Sequence, residues 1–159
     1  MMAARNPQIL RTIALLIAVC LVSMSAQAQY GGGTGEPNDP YQIATAEDLN
    51  EVSNHPEDWH KCFVLVNDVD MAGFPYATAL IAPGTGTRWG GFEGTPFTGI
   101  FDGNGHAINN LTIDTKGAAT DYLGLFGKVG ETGQVKNLAI EDVNIAGGSD
   151  SDYLGGLAG

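Results

Sequence analysis

Residues 122–127 read Tyr-Leu-Gly-Leu-Phe-Gly, and this stretch decides the expected fold because parts of it recur. The pattern Gly-x-Phe with flanking glycine is echoed at residues 98–103, and Tyr-Leu-Gly returns at residues 153–155. A second step, Asn-Leu-x-Ile, occurs at residues 110–113 and again at 137–140. Self-similarity at intervals in the twenties to low thirties is typical of stacked repeats and is too short for a propeller blade of about 40 residues.

Between these repeats, short apolar segments alternate with Gly, Asn and Asp turns, and no helical period appears from Phe97 onward. We therefore predict an all-β fold, a parallel β-helix (β-solenoid). Right-handed winding is expected because parallel crossovers almost always have that hand. The frames 108–113 and 135–140 are expected to stack, which would place Asn110 over Asn137 in a ladder of side-chain amides.

The sequence before the repeats predicts a short helix and three strands. Thr45 is followed by Asp48 in a capping-box pattern, and Pro56 forbids continuation, so a capping helix of about two turns is expected at the N-terminal end of the core. The predicted strands are Tyr41–Ile43, Phe63–Val66 and Ala79–Ala82.

Four segments are expected. Residues 1–28 have a basic start, a short apolar run and a small-x-small site, which predict a cleaved signal peptide; lipidation at Cys20 is the less favoured alternative. Residues 29–40 are a flexible Gly-rich lead-in, residues 41–96 an N-terminal cap with the first strands, and residues 97–159 truncated repeat coils. Since the last repeat is cut short, the chain is expected to be the N-terminal fragment of a longer protein that is secreted or located at the cell surface.

Charge and cysteine content exclude some functions. Residues 29–159 keep all 18 acids but only five Lys or Arg residues, which leaves a net charge of −13. Such a surface repels nucleic acid and anionic lipid, and no apolar run is long enough for a membrane span of about 20 residues. Cys62 is the single cysteine after residue 28, so no intramolecular disulfide is possible there.

The glycine-rich repeats at residues 124–127 and 155–159 resemble the GLUG motif of large secreted and surface proteins of bacteria. The segments 30–49, 63–70 and 97–106 are similar to the N-terminal region of such proteins, so the resemblance covers nearly all of the chain after the predicted signal. It implies an exported β-helical protein with a role in adhesion. It implies no catalytic residue, and Ala158 departs from the motif.

Three groups of residues could carry chemistry, and each has a plainer interpretation. His55 and His60 are five residues apart around Pro56, so they do not form a helical zinc pair and are expected in a solvated loop. Cys62 lies near His60, but a small buried hydrophobic role is favoured over thiol catalysis. Asp68 and Asp70 are expected to point the same way at a turn, and a partial metal site is left open.

The remaining motifs are interpreted structurally. Residues 102–106, Asp-Gly-Asn-Gly-His, predict a tight turn rather than a calcium loop, although a similar-looking turn occurs in β-helical pectin-degrading enzymes. Residues 31–35 lack the strand and helix of a phosphate loop and are expected to be a spacer. Residues 110–112 match a glycosylation sequon by chance, inside a predicted strand.

These observations favour an exported, non-enzymatic β-helical module of a longer protein, with adhesion to an extracellular glycan or a cell-surface protein as its role. No catalytic residue, metal site or cofactor is predicted, and the binding residues are not specified. A carbohydrate-active β-helix enzyme, or the accessory region of a secreted peptidase, are the alternatives.

Overall fold

Three parallel sheets and one α-helix make up the described part of the chain. The computed structural model describes residues 30–85 and 91–159. The predicted signal peptide therefore lies outside the described residues. Within the described residues, no helix combines the length and apolarity needed to cross a bilayer.

The ten strands fall into four groups in chain order, which we call layers. Layer one holds only β1, and each later layer sends one strand to each sheet. The strand order is β1-β2-β5-β8 in sheet A, β3-β6-β9 in sheet B and β4-β7-β10 in sheet C. The bounds are β1 Tyr41–Ile43, β2 Cys62–Leu65, β3 Val69–Asp70, β4 Pro75–Tyr76, β5 Ile100–Asp102, β6 Ala107–Asn109, β7 Thr112–Asp114, β8 Gln134–Lys136, β9 Ala139–Glu141 and β10 Asn144–Ala146.

All strand pairs between layers are parallel, which confirms the predicted direction of pairing. Side chains alternate along each strand, so every second residue points between the sheets. In sheet A the inward stack runs from Phe63 through Phe101 to Val135, and in sheet B it runs from Ile108 to Ile140. The rings of Phe63 and Phe101 lie 6.3 Å apart in a stacked arrangement. The core is thus a column of like residues.

Helix α1, Ala46–Asn54, covers the N-terminal end of this column. Thr45 accepts a hydrogen bond from the Asp48 amide at 3.2 Å, and the Asp48 carboxylate accepts one from the Thr45 amide at 3.1 Å. This confirms the predicted capping box. Leu49 and Val52 of the helix are fully buried, and they shield the first layers from water.

A 3-10 turn, Pro56–Asp58, follows helix α1 and leads into β2. It replaces the loop predicted around His55 and His60. The indole Nε1 of Trp59 donates to the Val52 carbonyl at 2.7 Å, which ties the turn to the helix. Burial of Trp59 and this hydrogen bond fix the entry of the chain into β2.

The Gly-rich lead-in is hydrogen-bonded to the strands, in contrast to the flexible spacer that its composition predicts. Gly31 donates to the Gln42 carbonyl and Gln42 donates back to the Gly32 carbonyl, both at 2.9 Å. Tyr30 is buried, and its hydroxyl donates to Asp58 at 3.1 Å. A Cβ on Gly33 would lie 1.9 Å from the Pro40 carbonyl oxygen, so only glycine permits this close approach.

The register between layers corrects the repeat frames predicted from sequence. Ile108 pairs with Ile140 and Ile113 pairs with Ile145, each 32 positions later, so the predicted stacking of frame 108–113 on 135–140 is wrong by five residues. The 31-residue interval is correct, since Leu123 bridges Leu154. Of the predicted strand Ala79–Ala82, only a single bridge from Ile81 to Phe126 is present.

The predicted amide ladder of Asn110 on Asn137 is also wrong. Asn110 lies between β6 and β7 with φ 59°, so it is not inside a strand as the sequence predicts, and its amide donates to Asp70 at 2.8 Å. Asn137 lies between β8 and β9, at a different corner of the next layer, and its amide donates to Asp102 at 3.0 Å. The two asparagines lie at different corners because equivalent positions of layers three and four are 32 residues apart in sheets B and C, not 27.

Candidate interaction surfaces

Two groups of outward side chains are candidate interaction surfaces. We call the first the aspartate edge; Asp68 precedes β3 and Asp102 ends β5 at the corner between sheets A and B, and Asp70 ends β3 at the corner between sheets B and C. Asp70 and Asp102 each close a turn in their own layer by accepting the amide of the residue two positions later, both at 2.9 Å. Each also accepts the side-chain amide of an asparagine in the following layer.

Asp68 also links layers. Its Oδ1 accepts the Ala107 amide at 3.0 Å and pairs with His106 Nδ1 at 3.1 Å. As predicted, Asp68 and Asp70 share the exposed side of their segment while Val69 between them is buried. Both side chains are engaged with the next layer, so the turn interpretation agrees with the structure.

Hydrogen bonding lowers the pKa of each aspartate of the edge. The Ala107 amide is the largest cause for Asp68, the Asn110 amide for Asp70 and the Asn137 amide for Asp102. Lys136 Nζ also lies 3.1 Å from Asp102 Oδ2. These partners favour the charged carboxylate, so the edge stays ionised well into the acid range. Such carboxylates are suited to joining layers rather than to taking up protons at neutral pH.

The turn predicted at residues 102–106 is present. Asn104 and Gly105 both have positive φ, and His106 donates its amide to the Gly103 carbonyl at 2.8 Å. Among residues 30–85 and 91–159, no group of three His, Cys, Asp or Glu side chains is placed to hold a metal ion.

The histidines and the cysteine of the sequence motifs are separated by the fold. His55 pairs with Glu51 at 3.4 Å and with Glu57 at 2.9 Å, and the Glu57 hydrogen bond raises its pKa. Cys62 opens β2 and is half-exposed on the outer side of sheet A, so the predicted buried position is wrong. It faces outward because strand alternation turns Phe63 inward. A shallow cavity of about 120 Å³ there also contacts Val64 and Ile100.

We call the second surface the tyrosine ladder; it consists of Tyr122 and Tyr153 in successive layers. Their rings are parallel, with centroids 4.7 Å apart and an interplanar angle of 1°. Phe92 packs edge-on against Tyr122 at 5.2 Å, and Lys128 Nζ lies 5.6 Å from the Phe92 centroid. The side chain of Tyr153 is 62% exposed. The two rings therefore cover each other's faces on the outside of the stack.

An aspartate precedes each tyrosine of the ladder. The Asp152 amide donates to Asp121 Oδ1 at 2.7 Å, which joins the two segments. The sequence shows the repeated Asp-Tyr-Leu-Gly at 121–124 and 152–155, but its periodicity alone assigned no role to the tyrosines. Burial, with Tyr153 and Asp121 nearby, raises the pKa of Tyr122, so the phenol of Tyr122 is neutral at physiological pH.

Comparisons with known proteins place similar sequence inside much longer chains. The chain is 33% identical over 134 residues to Halomucin of Haloquadratum walsbyi, covering 79% of this chain and 1% of that protein. It is 34% identical over 141 residues to a putative Gly-rich membrane protein of Evansella cellulosilytica, covering 87% of this chain and 15% of that protein. No family model and no solved structure matches the chain.

Proposed function

We propose that this chain is an exported β-solenoid module of a longer surface or secreted protein, and that it holds an acidic outer surface for adhesion to extracellular glycans or cell-surface proteins. The observation that carries the proposal is the layering. Layers two to four each add one parallel strand to each of three sheets, and an inward apolar stack runs through them. A right-handed parallel β-helix is the arrangement that best accommodates this connectivity.

The outward positions support a binding role. In sheet B, Asp70, Asn109 and Glu141 occupy one outward row across three layers. A stack of layers repeats such rows at about 4.8 Å, the spacing of neighbouring strands. The result is an extended polar surface on a stiff support, which is how solenoid proteins present binding sites. The carboxylates of the aspartate edge hold the layers together, so they favour a structural role over catalysis.

The relatives support an extracytoplasmic location. One is named Halomucin and the other a putative Gly-rich membrane protein, and both names fit proteins that work at or beyond the cell boundary. In both, the similar segment is a small part of a longer chain, which fits a module. The resemblance to GLUG-motif proteins points to the same kind of protein, and the predicted signal peptide provides the route of export.

A pull-down with the exported chain tests this proposal. Purified protein is incubated with immobilised neutral polysaccharides, immobilised acidic polysaccharides and washed bacterial envelopes, and both retention and released sugar products are measured. We expect retention without product release. Ile108→Asp is the matched control, because a buried charge in the central stack removes the layered fold while changing one residue.

Two outcomes would contradict the proposal. Release of sugar products by the wild-type chain would make it an enzyme. If the protein binds none of the matrices, or if the unfolded Ile108→Asp variant is retained equally, the chain does not adhere through its folded surface.

A further inference from the structure

We propose that Asn110 is a site of N-linked glycosylation. This inference rests on the export that is part of the proposed function, because exported chains are the ones that receive such oligosaccharides. Asn110, Leu111 and Thr112 form the sequon Asn-x-Thr, in which the hydroxyl two positions on allows transfer to the asparagine amide. Among the asparagines of the sequence, only Asn110 has Ser or Thr at that position with no proline between.

The structure places the sequon at an exposed corner. Asn110 lies between β6, which ends at Asn109, and β7, which begins at Thr112, and it is exposed. The interpretation of the match as chance depends on a strand over residues 110–112, so the corner removes the reason for it. A sequon on the surface between two strands is the setting in which glycosylated asparagines of exported proteins are found.

An open cavity of about 570 Å³ beside Asn110 provides room for the sugar. Residues 73–75 of layer two and Asn110 and Thr112 of layer three are among those that line it. Small-molecule sites have volumes of about 300–1,000 Å³. The first sugar therefore fits beside the corner without displacing either layer, and the rest of the oligosaccharide extends into solvent.

The hydrogen bonding of Asn110 is compatible with the modification. Its side-chain Nδ2 donates to Asp70 Oδ1 at 2.8 Å. A primary amide has two N–H donors, and the N-glycosidic bond replaces one of them. The other is left for Asp70, which also accepts the Ala72 amide at 2.9 Å. The link between layers two and three can thus be kept in the glycosylated chain.

The reaction transfers an oligosaccharide from a lipid carrier to the asparagine amide. Asn110 Nδ2 attacks the anomeric carbon of the lipid-linked oligosaccharide, so an N–C bond forms as the C–O bond to the carrier phosphate breaks. The carrier phosphate leaves with the electron pair, and the amide gives up one proton. A transferase and its lipid-linked donor meet the chain at the membrane during export, the route that the predicted signal peptide provides.

Asn137 provides a comparison within the same chain. It is exposed between β8 and β9, and its side-chain amide donates to an aspartate of the preceding layer at 3.0 Å, as that of Asn110 does at 2.8 Å. The residue two positions later is Ala139, so the hydroxyl is missing. We expect Asn137 to be unmodified in the wild type. Ala139→Thr, at an exposed position of β9, is expected to make it an acceptor.

Mass spectrometry of the tryptic peptide that contains Asn110 tests the site. Wild-type protein is purified from the cells that produce it, and the wild type and variants are also secreted by a eukaryotic host that performs N-glycosylation. We expect sugar on Asn110 in both wild-type preparations. Thr112→Val removes the hydroxyl but keeps a β-branched residue in β7, and it is expected to abolish the modification. Thr112→Ser keeps a hydroxyl and is expected to retain part of it.

Three results would overturn the proposal. They are an unmodified Asn110 in protein from its own cells, sugar on Asn110 in Thr112→Val, and sugar on Asn137 but not on Asn110 in secreted Ala139→Thr. Circular dichroism verifies that every variant is folded. Matrix retention of protein with an unmodified Asn110 would leave the adhesion proposal standing. A glycosylated chain that binds none of the matrices would contradict adhesion alone.

Discussion

Layers three and four use the same inward pattern but bury it to different degrees. Ile108 and Ile113 in layer three are fully buried. Their partners in layer four, Ile140 and Ile145, pack against the core but are only half-buried. Leu154 and Leu157 nearby are each 44% exposed. Strand pairing is therefore not sufficient to bury a layer; a layer must be covered on both sides.

At the other end, helix α1 supplies that cover. Leu49 and Val52 are fully buried against the first layers, and Ile43 beside them is also fully buried. Among the described residues, the first layers are thus covered by a helix, whereas layer four is paired on one side. This difference leads to two predictions, and the aspartate edge leads to a third.

The largest effect is expected from truncating the paired isoleucines of sheet B. Ile108→Ala leaves a cavity in a fully buried stack and is expected to lower the free energy of unfolding by about 2–5 kcal/mol. Ile140→Ala removes the same atoms from a half-buried position and is expected to cost about half as much. Urea denaturation of both variants measures the difference. Equal losses would show that layer four is as well packed as layer three.

A smaller effect is expected from removing the side-chain cap of helix α1. Thr45→Ala removes the side-chain cap of helix α1 and is expected to lower the free energy of unfolding by about 1 kcal/mol. Thr95→Ala, at an exposed threonine outside the strands, is the control and is expected to have little effect. Thermal unfolding compares the two. No loss in Thr45→Ala would mean that the helix covers the layers without needing its cap.

The smallest effect is expected from the aspartate edge, and it depends on pH. Because the pKa values of Asp70 and Asp102 are lowered in the folded chain, their stabilisation is complete above the unfolded value of about 3.9 and is lost as the pH falls through the folded values. The variant D70N/D102N is expected to lose less stability between about pH 5 and pH 3 than the wild type.

The variant E93Q/E131Q serves as the charge-matched control for this experiment, at two exposed acids outside the aspartate edge. Urea denaturation across the pH range gives the slopes. If D70N/D102N and the wild type lose stability in parallel on acidification, the hydrogen bonds between layers do not depend on charged carboxylates.

Local signals in the sequence predicted local structure well. The strand Tyr41–Ile43, the capping box at Thr45 and the turn at 102–106 are present as expected, because each depends on residues within a few positions of one another. The register between layers was harder to predict from the sequence. The similar segments 98–103 and 122–127 lie in one layer, where the rings of Phe101 and Phe126 are 5.6 Å apart, so aligning them as successive repeats gave too short an interval.

The candidate surfaces show the same limit. The outward direction of Cys62 follows from which residues of β2 face the core, and the stacking of Tyr122 on Tyr153 follows from the register between layers. Neither can be obtained from composition or motif spacing alone. The repeated Asp-Tyr-Leu-Gly was the available signal for the tyrosine ladder. Only the three-dimensional positions of the two copies show that their tyrosines stack.

The spacing between layers has an evolutionary consequence. Paired strands are 32 positions apart from layer three to layer four in sheets B and C, but 37 to 39 positions apart from layer two to layer three. The additional residues leave the parallel pairing intact. Duplication or deletion of one layer, or growth of one corner, can therefore change the length of the gene without a new fold. The length of the stack becomes a trait that recombination can adjust in steps of a single layer.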